Sequence, residues 1–194
     1  MRPAPLLCVL LTLSGLARAQ AEGQETPSDR VGATASILLK AGQVAGADRL
    51  FLGGWGGLVF GERYVLGGGG LALTENVDLP GSELSTGFDL GAGYGGLFFR
   101  YWEEVLPRVV GEAGLIVGAG HAEVRNRLAK REEGSDNFFV MEPEASLFLA
   151  VLPYLHVGIS GGYRMVWGVE DLPLVSADDL RSLSGSFSLR LTTR

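Results

Sequence analysis

Two glycine-containing segments match motifs that carry out chemistry in other proteins. Residues 91–96 (GAGYGG) have the spacing of the dinucleotide fingerprint GxGxxG, which holds a pyrophosphate at the N-terminus of a following helix. Residues 158–162 (GISGG) match the GxSxG nucleophile elbow, which exposes a serine on a strained turn between a strand and a helix. Both chemistries therefore require a helix directly after the motif.

Neither motif is followed by a helical pattern. Residues 97–101 (LFFRY), after the first motif, have the aromatic composition of a strand. Ser160 of the second motif lies in the middle of the most regular alternation in the chain. We therefore predict no nucleotide site and no nucleophilic serine, and we interpret Ser160 as a small side chain on the inner face of a strand.

His121 is the third candidate, because a histidine can act as a general base in ester cleavage. Carboxylates that could orient the imidazole lie nearby at Glu123, Glu132 and Glu133, and Ser135 could act as the nucleophile. The alternative is a histidine at a membrane–water interface without a catalytic role. His156 is far from His121 in sequence and has the opposite parity, so the two histidines do not predict a metal site. We expect no cofactor.

Alternation of polar and apolar residues predicts the elements that carry these side chains. In the last segment Leu183, Phe187, Leu189 and Leu191 share one face, while serines occupy the other. Because side chains of a strand point alternately to the two faces of a sheet, this pattern indicates a two-faced strand. The same pattern predicts seven further strands, near residues 31–40, 49–60, 63–74, 88–98, 109–120, 139–149 and 155–167.

The composition also favours strands over helices. The chain has 30 glycines, and each glycine inside a helix destabilises it by about 1 kcal/mol. The formal net charge of −6, without any run rich in lysine and arginine, argues against nucleic acid as a partner. We therefore predict an all-β fold that does not bind nucleic acid.

The first 19 residues have the three parts of a secretory signal. Arg2 supplies the positive start, residues 6–16 are apolar, and Ala17-Arg18-Ala19 places small residues where an export peptidase cleaves. The apolar run is shorter than the roughly 20 residues of a spanning helix, although an uncleaved anchor is the alternative. Cleavage would remove Cys8, which leaves no cysteine for a disulfide or a thiolate metal site. The predicted organisation is a signal peptide at 1–19, a short periplasmic segment at 20–30 and a β-barrel at 31–194.

The predicted connections alternate in length along the chain. They are long near 41–48, 75–84, 125–136 and 169–180, and short near 61–62, 102–107 and 152–154. An up-and-down barrel in an outer membrane has long outer loops, short periplasmic turns and strands of about ten residues. The pattern therefore predicts a closed antiparallel barrel of about eight strands with both termini at the periplasmic side.

The residues on the polar face separate a membrane barrel from a soluble one. This face carries mostly glycine and serine with a few charges, which suits the narrow interior of an eight-stranded barrel. Large apolar residues are then expected to face lipid, and in the fourth predicted strand this outer set comprises Phe88, Leu90, Ala92, Tyr94 and Phe98. The alternative is a soluble, lipocalin-like barrel in the periplasm that binds a ligand.

The chain resembles the small eight-stranded outer-membrane barrels typified by the OmpA transmembrane domain and OmpX. The resemblance covers the whole predicted mature chain and consists of its architecture. Barrels of this type commonly end on an aromatic residue, whereas this chain ends on Leu191-Thr192-Thr193-Arg194. Some related barrel enzymes modify lipid A with a His-x-Ser spacing, and this sequence has His121-Ala122-Glu123 instead.

The strand faces predict two groups of functional side chains. Charged and polar groups expected to form a network in the lumen are Lys40, Asp89, Glu112, Glu142, Glu144, His156, Arg164 and Arg190. Aromatic side chains expected to form girdles at the two membrane interfaces are Tyr64, Tyr101, Trp102, Tyr154, Tyr163 and Trp167. Buried charges must be paired, so the network is interpreted as a plug, with a selective pore as the alternative.

The function predicted from these features is that of a non-enzymatic outer-membrane barrel with a structural role or with loops that bind a partner. Its expected partners are outer-membrane lipid, lipopolysaccharide and the barrel assembly machinery, and the expected state is a monomer. The alternatives are a narrow channel, a lipid A-modifying enzyme and the soluble periplasmic barrel. Loops near 125–136 and 169–180, which are rich in charge, are the candidate contact regions.

Overall fold

The structure is a computed structural model that describes residues 31–79, 87–126, 131–170, 172 and 174–193. The predicted signal peptide and the segment 20–30 lie outside the described residues. The strands are β1 Val31–Val44, β2 Ala47–Phe60, β3 Tyr64–Leu73, β4 Val77–Leu79, β5 Phe88–Leu106, β6 Val109–Asn126, β7 Arg131–Leu152, β8 Leu155–Trp167 and β9 Ser182–Thr193, and one short helix, α1, spans Ala177–Leu180.

The strands form a closed antiparallel ring. Each strand pairs with its neighbours in sequence, except that β3 and β4 do not pair with each other and both pair with β5. The ring closes where β1 pairs with β9, from Ala33 opposite Thr193 to Gly42 opposite Ser184. The short β4 follows β3 along the same edge of β5, so the nine segments make eight strands of a barrel. This ring confirms the predicted up-and-down barrel of about eight strands. Among the described residues, no helix is long and apolar enough to cross a membrane.

The two ends of the barrel differ in their connections. At the end where the termini lie, the strands are joined by turns at 61–63, 107–108 and 153–154, and we call this the short-turn end. The other end, the loop end, carries the turn between β1 and β2, the connection from β3 to β5 that contains β4, the connection between β6 and β7, and the connection 168–181. The short turns at 61–63 and 153–154 and the long connection near 169–180 agree with the prediction. The short connection predicted near 102–107 is instead a turn at 107–108, because β5 continues as strand to Leu106. Of the long connection predicted near 75–84, residues 77–79 form β4 and residues 80–84 lie outside the described residues.

Two regions that the sequence predicts to be long loops are largely strand in the structure. Residues 41–48 form paired strand up to Val44 opposite Ala47, and only Ala45 and Gly46 make the turn. Both have positive φ, 50° and 75°, as a two-residue hairpin turn with the twist of the flanking strands requires. The charged region 125–136 is also largely strand, because β6 continues to Asn126 and β7 begins at Arg131. A strand can therefore continue to pair with its neighbour where its residues are polar and no longer alternate with apolar ones.

The outward faces of most strands carry large apolar side chains. Leu183 is 78% exposed, Ile37 is 63% exposed and Ile159 is 62% exposed, while Ser188 and Thr192 of β9 are buried. These are the faces that the alternation predicts. A belt of exposed leucine, isoleucine, valine and phenylalanine thus surrounds a barrel whose polar groups lie inside.

In β5 the predicted faces are wrong. Leu90, Tyr94 and Phe98 are buried inside the barrel, and Leu97 and Phe99 are exposed on its outer face. The prediction assumed that glycine marks the inside, but β5 carries large apolar residues on both faces. Inward glycines on other strands leave the space that aromatic rings fill. A Cβ added at Gly158 would overlap the ring of Phe148, and one at Gly120 would overlap the ring of Phe138.

The lumen as candidate functional site

A chain of ion pairs crosses the middle of the lumen. Lys40 Nζ lies 3.0 Å from Glu142 Oε1 and 2.5 Å from Glu144 Oε1. The two glutamates are two residues apart on β7, so both point inward. Lys40 reaches them from β1, which is separated from β7 by β8 and β9 in the ring. The contact therefore ties together two walls of the barrel that share no backbone hydrogen bonds.

Two arginines extend the chain of ion pairs. Arg100 pairs with Glu112, and its Nη2 lies 2.8 Å from Glu144 Oε2. Arg190 Nη2 lies 2.5 Å from Glu112 Oε2. The resulting ion network contains three cations and three carboxylates, all buried: Lys40, Arg100, Arg190, Glu112, Glu142 and Glu144.

The balance of charge explains how this network can be buried. Removing an ion from water costs several kcal/mol unless an opposite charge and hydrogen bonds replace the water. Glu142 has both replacements. Lys40 is the opposite charge, and Glu142 accepts hydrogen bonds from Tyr94 Oη at 2.7 Å and from Ser184 Oγ at 2.6 Å. Three positive and three negative groups leave the ion network without net charge.

Aromatic rings surround the arginines of the network. Arg190 Cζ lies 3.6 Å from the centre of the Phe148 ring and 5.0 Å from that of Trp102. Arg100 Cζ lies 4.6 Å from the centre of the Trp55 ring. Guanidinium groups at these distances are attracted to the ring faces, and the contact is strongest away from water. The rings fill the space that the inward glycines leave.

Sequence reasoning missed Arg100 and Tyr94. Arg100 was absent from the predicted network, and Tyr94 was expected on the outer face. Arg100 is the one charged residue in the run from Leu97 to Trp102, so its side chain must face away from lipid. This argument would have placed Arg100 on the inner face of the strand. By alternation Tyr94 then shares that parity.

Arg164 is buried in the lumen but outside the ion network. Its Nε donates to the carbonyl of Leu180 at 2.7 Å, and its Nη2 donates to the carbonyl of Gln43 at 2.8 Å and to Ser182 Oγ at 3.2 Å. The guanidinium lies 4.7 Å from the centre of the Phe51 ring. Arg164 therefore joins the end of α1 to the hairpin of β1 and β2.

Apolar side chains close the loop end above Arg164. Leu172, Val175 and Leu180 of the connection between β8 and β9 are buried among strand residues at this end. The amide of Ala45 donates to the carbonyl of Asp179 at 2.8 Å, which fastens the connection to the first hairpin. We call this part of the lumen the apolar cap; its strand residues include Val44, Val77, Leu90, Val124 and Val166.

The short-turn end of the lumen contains a cavity of about 250 Å³. Trp102, His156, Arg190 and Thr192 are buried and line its inner part. Its rim at the barrel opening is formed by the exposed residues Glu62, Arg63, Glu103 and Glu104, and Val110 completes the lining. We call it the short-turn cavity.

Two residues of the predicted groups lie elsewhere. Asp89 has the parity of the exposed Leu97 and Phe99 on β5, so it lies on the outer face near the loop end and not in the lumen. Trp102 is buried inside the barrel, and its indole N–H donates to the carbonyl of Glu62 at 2.6 Å. The alternation that turns Phe98 inward also turns Trp102 inward, so Trp102 is not part of an interfacial girdle.

The other five predicted girdle residues have side chains at the outer surface. The Tyr64 and Tyr101 rings lie 5.4 Å apart near the short-turn end, where the exposed Tyr154 is also found. At the loop end, the Trp167 ring lies 5.7 Å from the Phe139 ring. Tyr163, which precedes Trp167 on the same face of β8, is also exposed. Aromatic side chains thus occur at both ends of the apolar belt.

His121 lies on the outer face of β6. Its Nδ1 is 3.1 Å from Asn137 Oδ1, while Glu123 pairs with Arg125 at 2.7 Å. Ser135 is opposite Glu123 in the register, and no hydrogen bond among the described residues joins Ser135 to His121. Among the described residues, His121 therefore has an orienting group but no hydrogen bond to a nucleophile. In the described part of the chain, no group of three or more His, Cys, Asp or Glu could hold a metal ion.

The two glycine motifs lie inside strands. Residues 91–96 belong to β5, which continues as a strand to Leu106. Ser160 lies in the middle of β8 and is hydrogen-bonded to Ser186 of β9. The structure therefore provides neither the helix that a pyrophosphate site needs nor the turn that a nucleophilic serine needs.

Solved structures of small outer-membrane barrels are similar to this chain. Neisserial surface protein A superposes with a TM-score of 0.59 at 14% identity, covering 83% of this chain and 96% of that one. Ail of Yersinia pestis, in complex with the heparin analogue sucrose octasulfate, gives 0.50 at 12% identity, with 84% and 97% covered. The N-terminal β-barrel domain of Pseudomonas aeruginosa OprF gives 0.50 at 11% identity, with 82% and 97% covered.

These similarities concern the fold. No protein-family model matches the sequence, and no curated protein matches it. The chain therefore shares an architecture with eight-stranded outer-membrane barrels, and its role must be argued from its own side chains.

Proposed function

We propose that this protein is a non-enzymatic barrel of the bacterial outer membrane, closed to ion flow, with a structural role or with outer loops that bind a partner. The observation that carries the proposal is the separation of side chains by the barrel wall. Large apolar residues cover the outside, and the charged residues of the ion network lie inside. A ring without open edges satisfies the backbone hydrogen bonds that lipid cannot satisfy.

The outer surface supports insertion in a bilayer. Tyr64, Tyr101 and Tyr154 at one end, and Tyr163 and Trp167 at the other, are the amphipathic rings that favour membrane–water interfaces. In barrels of this kind short turns face the periplasm, so we assign the short-turn end to that side and the loop end to the outside. A soluble barrel would instead have to leave this apolar belt in water.

The interior supports a closed lumen. A pore needs a continuous path for water, and here the apolar cap and the ion network lie in series along the lumen. The charges of the ion network neutralise one another, so the network itself offers no ring of like charge that could select ions. A narrow channel, the alternative from the sequence, would require both barriers to move.

Fractionation followed by an unboiled gel tests the location. We expect the full-length protein in the outer-membrane fraction and a compact, faster band that shifts to full mass only on boiling. Recovery in the soluble periplasmic fraction would contradict the proposal and would support the lipocalin-like alternative.

Recording in planar lipid bilayers tests whether the lumen is closed. We expect no ion-selective current from the wild-type protein, because both barriers are present. Steady, selective conductance would contradict the closed lumen without affecting the membrane location.

The loop end is the candidate contact surface for partners. Its exposed acidic residues include Glu170 and Asp178, and such groups can meet lipopolysaccharide phosphates through divalent ions. We propose a monomer that contacts outer-membrane lipid and lipopolysaccharide, inserted by the barrel assembly machinery and without nucleic acid as a ligand.

An assay of lipid A tests the non-enzymatic role. Overexpression of the wild-type chain should leave the acyl chains of lipid A intact by mass spectrometry, because no hydrogen bond in the described part of the chain joins Ser135 to His121. Loss of acyl chains that disappears in His121→Ala would contradict this proposal.

A further inference from the structure

We infer that the segment 174–181 is a latch whose position is transmitted through the lumen to the short-turn end. When the latch leaves the mouth of the barrel, Arg164 exchanges the carbonyl of Leu180 for the carboxylate of Glu142, and the exchange passes along the ion network to Trp102. The inference goes beyond the closed barrel proposed above, because it concerns a conformational change and not the location of the protein or its conductance.

The latch is held by contacts with the strands and not by its own helix. Hydrogen bonds from the amide of Ala45 and from Arg164 Nε reach carbonyls of α1, at 2.8 Å and 2.7 Å. The side chain of Leu180, 3% exposed, is inserted among the buried residues of the apolar cap. Because α1 has four residues and a single helical turn is unstable by itself, loss of these contacts releases the latch.

Arg164 has a second partner within reach. Met141 pairs with Met165 and Glu144 with Gly162, so Glu142 of β7 lies across from Arg164 of β8 on the inner face. The Tyr94 ring contacts both groups, since Arg164 Cζ lies 5.6 Å from its centre and its hydroxyl donates to Glu142 at 2.7 Å.

The structure nevertheless contains no ion pair between Arg164 and Glu142, two described residues, because the guanidinium turns to the carbonyls of Leu180 and Gln43. Removal of Leu180 leaves Arg164 Nε without its acceptor in a buried site. A buried charge that loses a partner is costly, and the carboxylate across the register is the replacement that forms a charge-assisted hydrogen bond.

The ion network is a linear chain of alternating charge. Its groups follow one another in the order Glu142, Lys40, Glu144, Arg100, Glu112 and Arg190. Glu142 is the end nearest Arg164 and pairs with one described cation, whereas the other two carboxylates pair with two each. The opposite end of the chain is Arg190, whose Cζ lies 5.0 Å from the centre of the Trp102 ring.

This order allows a change at one end to reach the other. A second cation at Glu142 competes with Lys40 for that carboxylate. Lys40 and Arg100 each lie between two carboxylates, so each can shift towards the next one along the chain without losing a partner. Arg190 has a carboxylate on one side only, so the shift ends in a movement of its guanidinium against Trp102.

Two tryptophans provide separate signals for the two ends. Arg181 Cζ lies 5.9 Å from the centre of the Trp167 ring, so the indole signal of Trp167 follows the latch. The indole N–H of Trp102 is bonded to the carbonyl of Glu62, and its ring is close to Arg190. The signal of Trp102 therefore follows the far end of the chain of ion pairs.

The test compares NMR spectra of the ¹⁵N-labelled, folded full-length barrel in detergent micelles with those of Leu180→Ser, which places a polar group at a buried apolar anchor of the latch. We expect the indole signals of both Trp167 and Trp102 to shift, with the signals assigned by Trp167→Phe and Trp102→Phe. A shift of Trp167 without a shift of Trp102 would overturn the proposal. Unchanged signals of both would overturn it as well, since Leu180 would then not hold the latch.

The matched control is Leu174→Ser, the same substitution at a residue of the same segment that is 61% exposed. It removes no buried anchor, so the Trp102 signal should keep its wild-type position. A shift of Trp102 as large as that in Leu180→Ser would contradict transmission through the latch.

A variant of Arg164 separates the exchange from a general loosening of the barrel. In Arg164→Gln no cation is left to move to Glu142, so adding Leu180→Ser should shift the Trp167 signal and leave the Trp102 signal where Arg164→Gln alone places it. A further shift of Trp102 in this background, equal to that in the wild type, would refute the exchange. If Leu180→Ser does not fold, Leu180→Ala truncates the same anchor less severely and supports the same comparisons.

Discussion

The two ends of the lumen are built from the same strands but are filled differently. At the loop end, Leu172, Val175 and Leu180 seal the opening, and Arg164 bonds to the carbonyls of Leu180 and Gln43. At the short-turn end a polar cavity remains. A connection of 14 residues, 168–181, can fold back into the mouth of the barrel, whereas turns of two or three residues cannot. The lengths of the connections therefore decide which end is sealed.

The ion network separates these two ends and should show the largest mutational effect. Glu112→Ala leaves Arg100 and Arg190 without their shared carboxylate, and we expect a loss of about 3–5 kcal/mol in the free energy of unfolding. Urea unfolding in lipid vesicles, followed by tryptophan fluorescence, measures it. Glu103→Ala breaks an exposed pair and should cost less than about 1 kcal/mol; a similar loss for both would mean that burial adds nothing to the network.

Removing the contact at the loop end should have a smaller effect. Arg164→Ala deletes three hydrogen bonds from a buried guanidinium, and we expect a loss of about 2–3 kcal/mol. The connection between β8 and β9 should then become sensitive to proteolysis, while no ion-selective current appears, because the ion network still closes the lumen. A selective current from this variant would show that the apolar cap alone keeps the lumen closed.

Changing the wall of the short-turn cavity should cost still less. Trp102→Phe keeps an aromatic ring near Arg190 but removes the indole N–H that bonds to Glu62, and we expect a loss of about 1 kcal/mol. The same unfolding assay measures it. Trp167→Phe on the outer face is the control; if it costs as much as Trp102→Phe, the bond to Glu62 contributes little.

The smallest change in the free energy of unfolding is expected at the hairpin of β1 and β2. Its two-residue turn contrasts with the long connections at the same end of the barrel. Ala45 has a positive φ that strains any residue with a Cβ, so Ala45→Gly should raise the free energy of unfolding by less than about 1 kcal/mol. Ala47→Gly, in paired strand, should lower it. A neutral effect of both changes would indicate a loop of the length first predicted from the sequence.

Most of the barrel could be predicted from the sequence, and the errors have a common physical origin. Alternation predicts a strand wherever the two faces differ, as in β9. In β5 both faces carry large residues, so alternation alone does not show which face is the inner one. Large residues fit inside only where glycines on other strands leave space. Gly120 of β6, which leaves room for the ring of Phe138 of β7, is an example. The positions of Asp89, Tyr94 and Trp102 were misjudged for this reason.

The candidate site was predicted in part. Lys40, Glu112, Glu142, Glu144 and Arg190 were expected in the lumen from their parity, and the structure places their side chains there. Their partners could not be predicted, because Lys40 meets residues about a hundred positions away across the ring. Arg164 shares the inner parity but bonds to backbone carbonyls, which no pattern of side chains reveals.

The sequence by itself determined the strands, their antiparallel order and the faces of most of them, because a period of two and the spacing of turns are local properties of the chain. Only the tertiary structure decided how the lumen is filled. Closure of the ring brings β1, β5, β6, β7 and β9 around one narrow space, and the pairing of charges there depends on register and on the volume left by each opposing residue. The sealed loop end and the open short-turn cavity follow from that packing.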